Sequence, residues 1–154
     1  MLKNTFSVIF ILFTLLILYQ INLKFNNCIF TESFKNNNNS NILKLKIANT
    51  NHQRKKGLMF VKKMLPYEGM LFDYKIDGYH SVWMKNTFIP LDVLFLNSQY
   101  KIIDYIENTI PHNLDSISIS KKSRYILEVN AGTVKRIKLK KGEKINFKII
   151  KNLS

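Results

Sequence analysis

Residues 80–96 read HSVWMKNTFIPLDVLFL, and they hold the only tryptophan of the chain, Trp83, together with His80, Pro90 and a Lys85–Asn86 pair close to Asp92. Side chains alternate between the two faces of a strand. As one strand from His80 to Asn86, the stretch puts His80, Val82, Met84 and Asn86 on one face and Ser81, Trp83 and Lys85 on the other. Neither face is purely apolar, the pattern of a strand at a cleft or a sheet edge. Pro90 has no amide proton to give a ladder, so a second strand is expected from Leu91 to Leu96. Asp92 enters that apolar run, and a carboxyl group buried there must be paired or hydrogen-bonded. Lys85, His80 and Arg124 are its candidate partners.

Working outward, ILKLKIAN (42–49) alternates apolar and charged residues and predicts a half-buried strand. Thr50 is placed to cap a short helix through NHQRKKGLMF, with Gly57 as its stop. GMLFDY (69–74) reads as a strand and IDGY (76–79) as a turn. KIIDYIEN (101–108) is the return strand of a hairpin closed by NSQY. After a polar, irregular stretch over 109–123 come the strand RYILEVN (124–130), a short helix in AGTVKRIKL, and the closing strand KINFKII (144–150). The expectation is a mainly β domain over residues 42–152, a small sandwich or partly closed barrel of six to seven short strands with two short helices.

The N-terminus sets the expected compartment. Phe6 to Ile21 is apolar apart from Ser7, Thr14 and the terminal Tyr19–Gln20, and residues 1–23 read as a membrane anchor or signal peptide. No A-x-A cleavage site is visible, since the first alanine is Ala48, which favours a retained anchor over a cleaved leader. A lipidated Cys28 is a further option, against which stand Asn26 and Asn27 where lipoprotein processing prefers small residues. Each option exports the domain to face the periplasm or cell exterior, or to be secreted; a buried core helix is the plainer reading. Residues 24–41, rich in Asn and without apolar period, are expected to be a tether. As the single cysteine, Cys28 allows no intramolecular disulfide.

The net charge of +14 would suit anionic lipid, nucleic acid or an acidic ligand, but it also follows from a general bias toward Lys, Asn and Ile. The lysines are scattered without the interleaved aromatics of single-strand binders, so no nucleic-acid partner is expected. Catalytic templates are absent: there is no G-x-S-x-G, no H-E-x-x-H and no glycine-rich phosphate loop. No metal or cofactor is expected. Trp83 beside Lys85 could wall a ligand site, with the core Trp and a snorkelling Lys as the bland alternative. Arg124 and Glu128 share a strand face and must each find a partner on a neighbouring strand. His80, Trp83, Lys85, Asn86, Asp92, Arg124 and Glu128 are therefore the candidate residues for a small polar or anionic ligand. The alternative is a hydrolase or lyase acting on an envelope component, with Asp92 or Glu128 as base and His80 as acid. A purely structural role for these residues is the third reading, and nothing in the pattern specifies an oligomeric state.

The motifs RKKGLMF, LPYEGMLF, HSVWMKNTFIPLDVLFL and SRYILEVNAG, in this order, resemble the domain-of-unknown-function family 192, small bacterial and archaeal proteins that are often exported. The resemblance covers residues 43 to 150. It implies a compact, mainly β fold of sandwich or barrel type with short helices. As signature positions it implies Gly57, Met59, Gly69, Met70, His80, Trp83, Met84, Lys85, Asn86, Pro90, Asp92, Arg124, Glu128 and Gly132. Related sequences often carry a cysteine-containing, Pro-rich segment before the RYILEVNAG strand. NTIPHNLDSISISKKS has no cysteine here, so a function common to both versions does not depend on one. The resemblance implies fold and compartment but no reaction.

Overall fold

The apolar run Leu91–Leu96 forms a strand buried at every position, which requires cover on both of its faces. The structure, a computed structural model, describes residues 14, 29–36, 39–145 and 147–148, with side chains for 14 and 43–145. In chain order the elements are β1 (Ile29–Asn36), β2 (Asn39–Ala48), α1 (Asn51–Lys56), β3 (Glu68–Gly78), β4 (Ser81–Val82) and β5 (Leu91–Leu96). They continue with β6 (Ile102–Ile106), β7 (Ile117–Ser118), β8 (Ser123–Asn130), α2 (Thr133–Arg136) and β9 (Phe147–Lys148). One sheet has seven strands in the order β6-β5-β8-β3-β2-β1-β9, and β4 pairs with β7 in a second, two-stranded sheet. The fold is mainly β with two short helices, and the large sheet does not close into a barrel. A lone bridge between Lys101 and Lys144 only leans the segment before β9 toward the start of β6.

Both faces of the large sheet are covered. On one, Leu43, Leu45, Leu71, Leu94, Leu96, Leu127 and Val129 pack beneath Val134 and Ile137 of the α2 region, with Leu139 and Ile145. On the other, Phe72, Val93, Phe95 and Ile126 meet Val82 of β4 and Ile117 of β7. β2 and β3 are parallel while the other pairings are antiparallel. Parallel neighbours need a crossover, and α1 lies in the one between β2 and β3.

Three expectations differ from the structure. Residues 80–86 do not form one strand: β4 ends at Val82, and the chain then turns, with Thr87 N–H donating to the Met84 carbonyl at 3.0 Å and Asn86 at φ 54°. Strand parity therefore does not sort Trp83, Lys85 and Asn86. Met84 is instead a buried plug with Leu58 and Leu91. Strand pairing also begins before Ile42, because β1 and the start of β2 fall inside the stretch read as a tether; they pair along their backbones, a ladder that needs no apolar period. The turn expected at IDGY is the end of β3, which runs through Gly78 with an irregularity after Asp73. The leader over 1–23 and Cys28 lie outside the described residues, save Thr14. Among the described residues no helix is long and apolar enough to cross a membrane.

Asp92 joins three separate segments. Its parity with Leu94 and Leu96 turns it to the α2 side, and it is 0% exposed. One carboxyl oxygen accepts from Asn108 N–H at 3.0 Å and the other from Val134 N–H at 2.9 Å. Gly132, the residue capping α2, has φ 80° and no side chain to satisfy the first-turn amides, so a carboxyl group from β5 does so. The expected partners Lys85, His80 and Arg124 are not used.

Gly69 marks a close approach. A Cβ there would lie 2.6 Å from the Glu128 carbonyl oxygen and 2.9 Å from Leu45 Cδ2, so the middle of the sheet accepts no side chain at this point. Gly69→Ala is expected to lower the unfolding free energy by about 1–3 kcal/mol, read from denaturant titration of the chain. Asp92→Ala, which orphans the buried Val134 amide and the part-buried Asn108 amide, is expected to cost about 3 kcal/mol, and Asp92→Asn less, in the same measurement.

Candidate functional site

On the face away from α2 lies a cleft of about 380 Å³, within the range of small-molecule sites. Its basic edge is made by α1. Thr50 and Gln53 close a capping box there, with Gln53 N–H donating to Thr50 Oγ1 at 3.2 Å and Thr50 N–H donating to Gln53 Oε1 at 3.1 Å. A helix fixed at its start and stopped at Gly57 presents Arg54, Lys55 and Lys56 together in its last turn, and all three line the cleft. Phe72 and Tyr74 of β3, with Trp83 just beyond β4 and Leu114, supply aromatic and apolar walls. Glu128, from β8 between β3 and β5, also lines it.

Glu128 is only 4% exposed, and among the described residues no hydrogen bond or ion pair reaches its carboxyl group. Burial pushes its pKa from 4.5 up to about 8. Tyr74 is pushed up to about 12 by burial and by the nearby Glu128 charge, with Arg54 opposing. Arg54 does not turn to Glu128. Its guanidinium donates to the Asp73 carbonyl at 2.7 Å and to Asn51 Oδ1, and lies over the Tyr74 ring at 5.2 Å. Lys55 and Lys56 are exposed and meet no acidic partner among the described residues.

Of the residues read from the sequence as ligand-binding, the structure brings Trp83 and Glu128 into this cleft. His80 stands behind it, stacked on Tyr74 at 3.8 Å with Nε2 3.1 Å from the Ile76 carbonyl. Lys85 lies over the Trp83 ring at 5.0 Å. Asn86 serves a turn, its carbonyl accepting from Phe60 N–H at 2.8 Å. Arg124 pairs with Asp73 at 3.2 Å, where Lys75 also binds. Burial alone would raise the Asp73 carboxyl; the hydrogen bonds from Lys75 and Arg124 hold it below its usual range. Asp92 faces the opposite side of the sheet from Glu128 and from His80, so these three cannot converge on one reacting atom. The sequence reading passed over Arg54, Lys55, Lys56 and Tyr74; the run of cations directly after a helix cap was the available signal. Among the described residues no three His, Cys, Asp or Glu side chains gather as metal ligands would.

Between pH 4.5 and about 8 the folded chain keeps a proton on Glu128 that the unfolded chain has released. This contribution to stability is complete below pH 4.5 and is lost as pH rises through 8. Glu128→Gln removes it. Thermal unfolding followed from pH 5 to 9 is expected to show the wild type losing stability relative to the Gln variant, by more than about 1 kcal/mol at the alkaline end.

The chain matches a known family, DUF192, described as an uncharacterised ACR, over residues 33–147. Among solved structures it resembles a protein from Sinorhizobium meliloti 1021 that is provisionally named a transcription regulator. Identity is 35% and the TM-score 0.71, covering 79% of this chain and 92% of that one. A protein of unknown function from Novosphingobium aromaticivorans shares 26% identity with a TM-score of 0.69, over 77% of this chain and 83% of the other. No curated protein matches. With the family match spanning all but the ends of the β domain, and a solved relative at 35% identity of the same fold, the chain belongs to the DUF192 family.

Proposed function

We propose that the domain is a non-catalytic module that binds a small polar, anionic ligand in the cleft beside α1 and is displayed at the cell envelope by its N-terminal segment. The observation that carries the binding reading is the convergence of Arg54, Lys55 and Lys56 on the edge of a cavity walled by Phe72, Tyr74 and Trp83. Apolar walls supply contact area, while cations without acidic partners select charge and orientation. Two of the residues chosen from sequence remain part of this site, Trp83 and Glu128; Lys85 borders it through its contact with Trp83. Export rests on the apolar stretch from Phe6 to Ile21. The hydrolase or lyase alternative loses its Asp92 arm, because that carboxyl group is turned to the α2 side and bound to two amides.

Trp83 is the only tryptophan in the chain and is 47% exposed on the cleft wall, so its emission reports on the site directly. Titration with inorganic phosphate and with short-chain carboxylates is expected to give a saturable change. The double variant Lys55→Ala/Lys56→Ala should weaken binding about tenfold, from two exposed charge contacts of up to about 0.7 kcal/mol each. A flat titration, or an affinity unaltered in the double variant, would overturn the proposal.

A further inference from the structure

We infer that the ligand of this cleft is amphoteric: an anionic group meets Lys55 and Lys56 at the mouth, and a primary ammonium group meets the Glu128 carboxyl group inside. The inference rests on the anion-binding reading above and adds the second half of the ligand.

The cleft is polar at two places of opposite sign. At the mouth are exposed cations; inside is a carboxyl group almost wholly withdrawn from water, bordering the same cavity. A buried carboxyl group without a partner is costly to keep and is normally satisfied by the protein around it. Here no partner among the described residues reaches it. The residues across the ladder from Glu128 are Met70 and Val93, which are apolar. The cation on the adjoining helix, Arg54, is committed to the Asp73 carbonyl and to Asn51. Arg124, four residues before Glu128 on the same strand face, is held by Asp73. Asp92, one strand away and as deeply buried, shows how this fold satisfies a structural carboxyl group: two amides aimed at its two oxygens. Glu128 has no such arrangement, and its opening is toward the cleft.

A ligand ammonium supplies what is missing. It brings donors in the right number and, with them, the counter-charge that lets the carboxyl group ionise in an apolar setting, the proton of Glu128 passing to solvent. A ligand hydroxyl could donate one hydrogen bond but leaves the ionised form uncompensated, so an amine is favoured over an alcohol of the same shape. The walls of Phe72, Tyr74 and Trp83 between the two charged ends suit the carbon chain that separates them.

The test uses the full chain and Trp83 emission, with three matched series of probes of two, four and six carbons: ω-amino acids, ω-hydroxy acids and unsubstituted carboxylic acids. In the wild type the best ω-amino acid is expected to bind at least about tenfold more tightly than the hydroxy acid or plain acid of the same length, the scale of a charge-assisted hydrogen bond. In Glu128→Gln the three series should bind alike, and Glu128→Asp should recover part of the preference. Losing Glu128 also removes an unpaired buried acid, so the Gln variant is expected to fold, and its melting curve checks this. If all three series bind the wild type equally in a manner dependent on Lys55 and Lys56, the amphoteric inference fails while the anion site stands. Retention of the amine preference in Glu128→Gln also overturns it. If no probe binds, both fail together.

Discussion

The two hydrogen bonds accepted by Asp92 are the constraint on which much of the domain depends. β5 is buried throughout, so a polar side chain in it has no route to water. By taking the amide protons of Asn108 and Val134, Asp92 ties β5 to the segment following β6 and to the start of α2. α2 has only four residues and a capping glycine, and it would otherwise carry unsatisfied amides over the core it covers. That cover encloses one face of the large sheet, and the small β4–β7 sheet encloses the other. A sheet closed on both sides leaves the edges of its covering layers as places where a cavity can form.

Glu128 shows the opposite treatment of the same functional group. It sits on β8, with its neighbours Met70 and Val93 across the ladder, and its side chain enters the face that carries the cleft. Among the described residues no amide or cation binds it, and burial raises its pKa to about 8. The two deeply buried carboxyl groups thus stand on adjacent strands, one bound to two amides and one without a partner among the described residues. Around Glu128, α1 adds a run of cations and β3 adds aromatic walls, so oppositely charged groups border one enclosed volume. This arrangement is suited to recognition. Asp92 takes no part in it, because the sheet lies between that residue and both Glu128 and His80.

Much of the architecture was legible in local pattern. The alternation after Ile42, the Thr50 cap with its Gly57 stop, the unbroken run after Pro90 and the RYILEVN strand all appear as elements where their chemistry places them. The stretch from Trp83 to Pro90 was not, because a polar and apolar mixture that alternates like a strand can also be a turn that buries alternate residues in different clusters. Met84 goes into the core there while Trp83 stays on the cleft wall. The site was legible in part. Trp83 and Glu128 are drawn to notice by rarity and by an acid in a strand; Arg54, Lys55 and Lys56 looked like an ordinary solvated helix end.

The sequence alone determined many of the elements, because these follow from periodicity, capping and the short-range preferences of Pro, Gly and Thr, and its ordered motifs pointed to the family. It also marked Asp92, if buried, and Glu128 as carboxyl groups in strands that would each need a partner. Which partner each receives was decided only by the tertiary structure. Hydrogen-bond partners 16 and 42 residues away for Asp92, and the basic helix that comes to stand by Glu128, are set by how strands distant in the chain pair and which face of the sheet each side chain enters. Local pattern fixes the parity of a strand, but the choice of face depends on the layers packed against it.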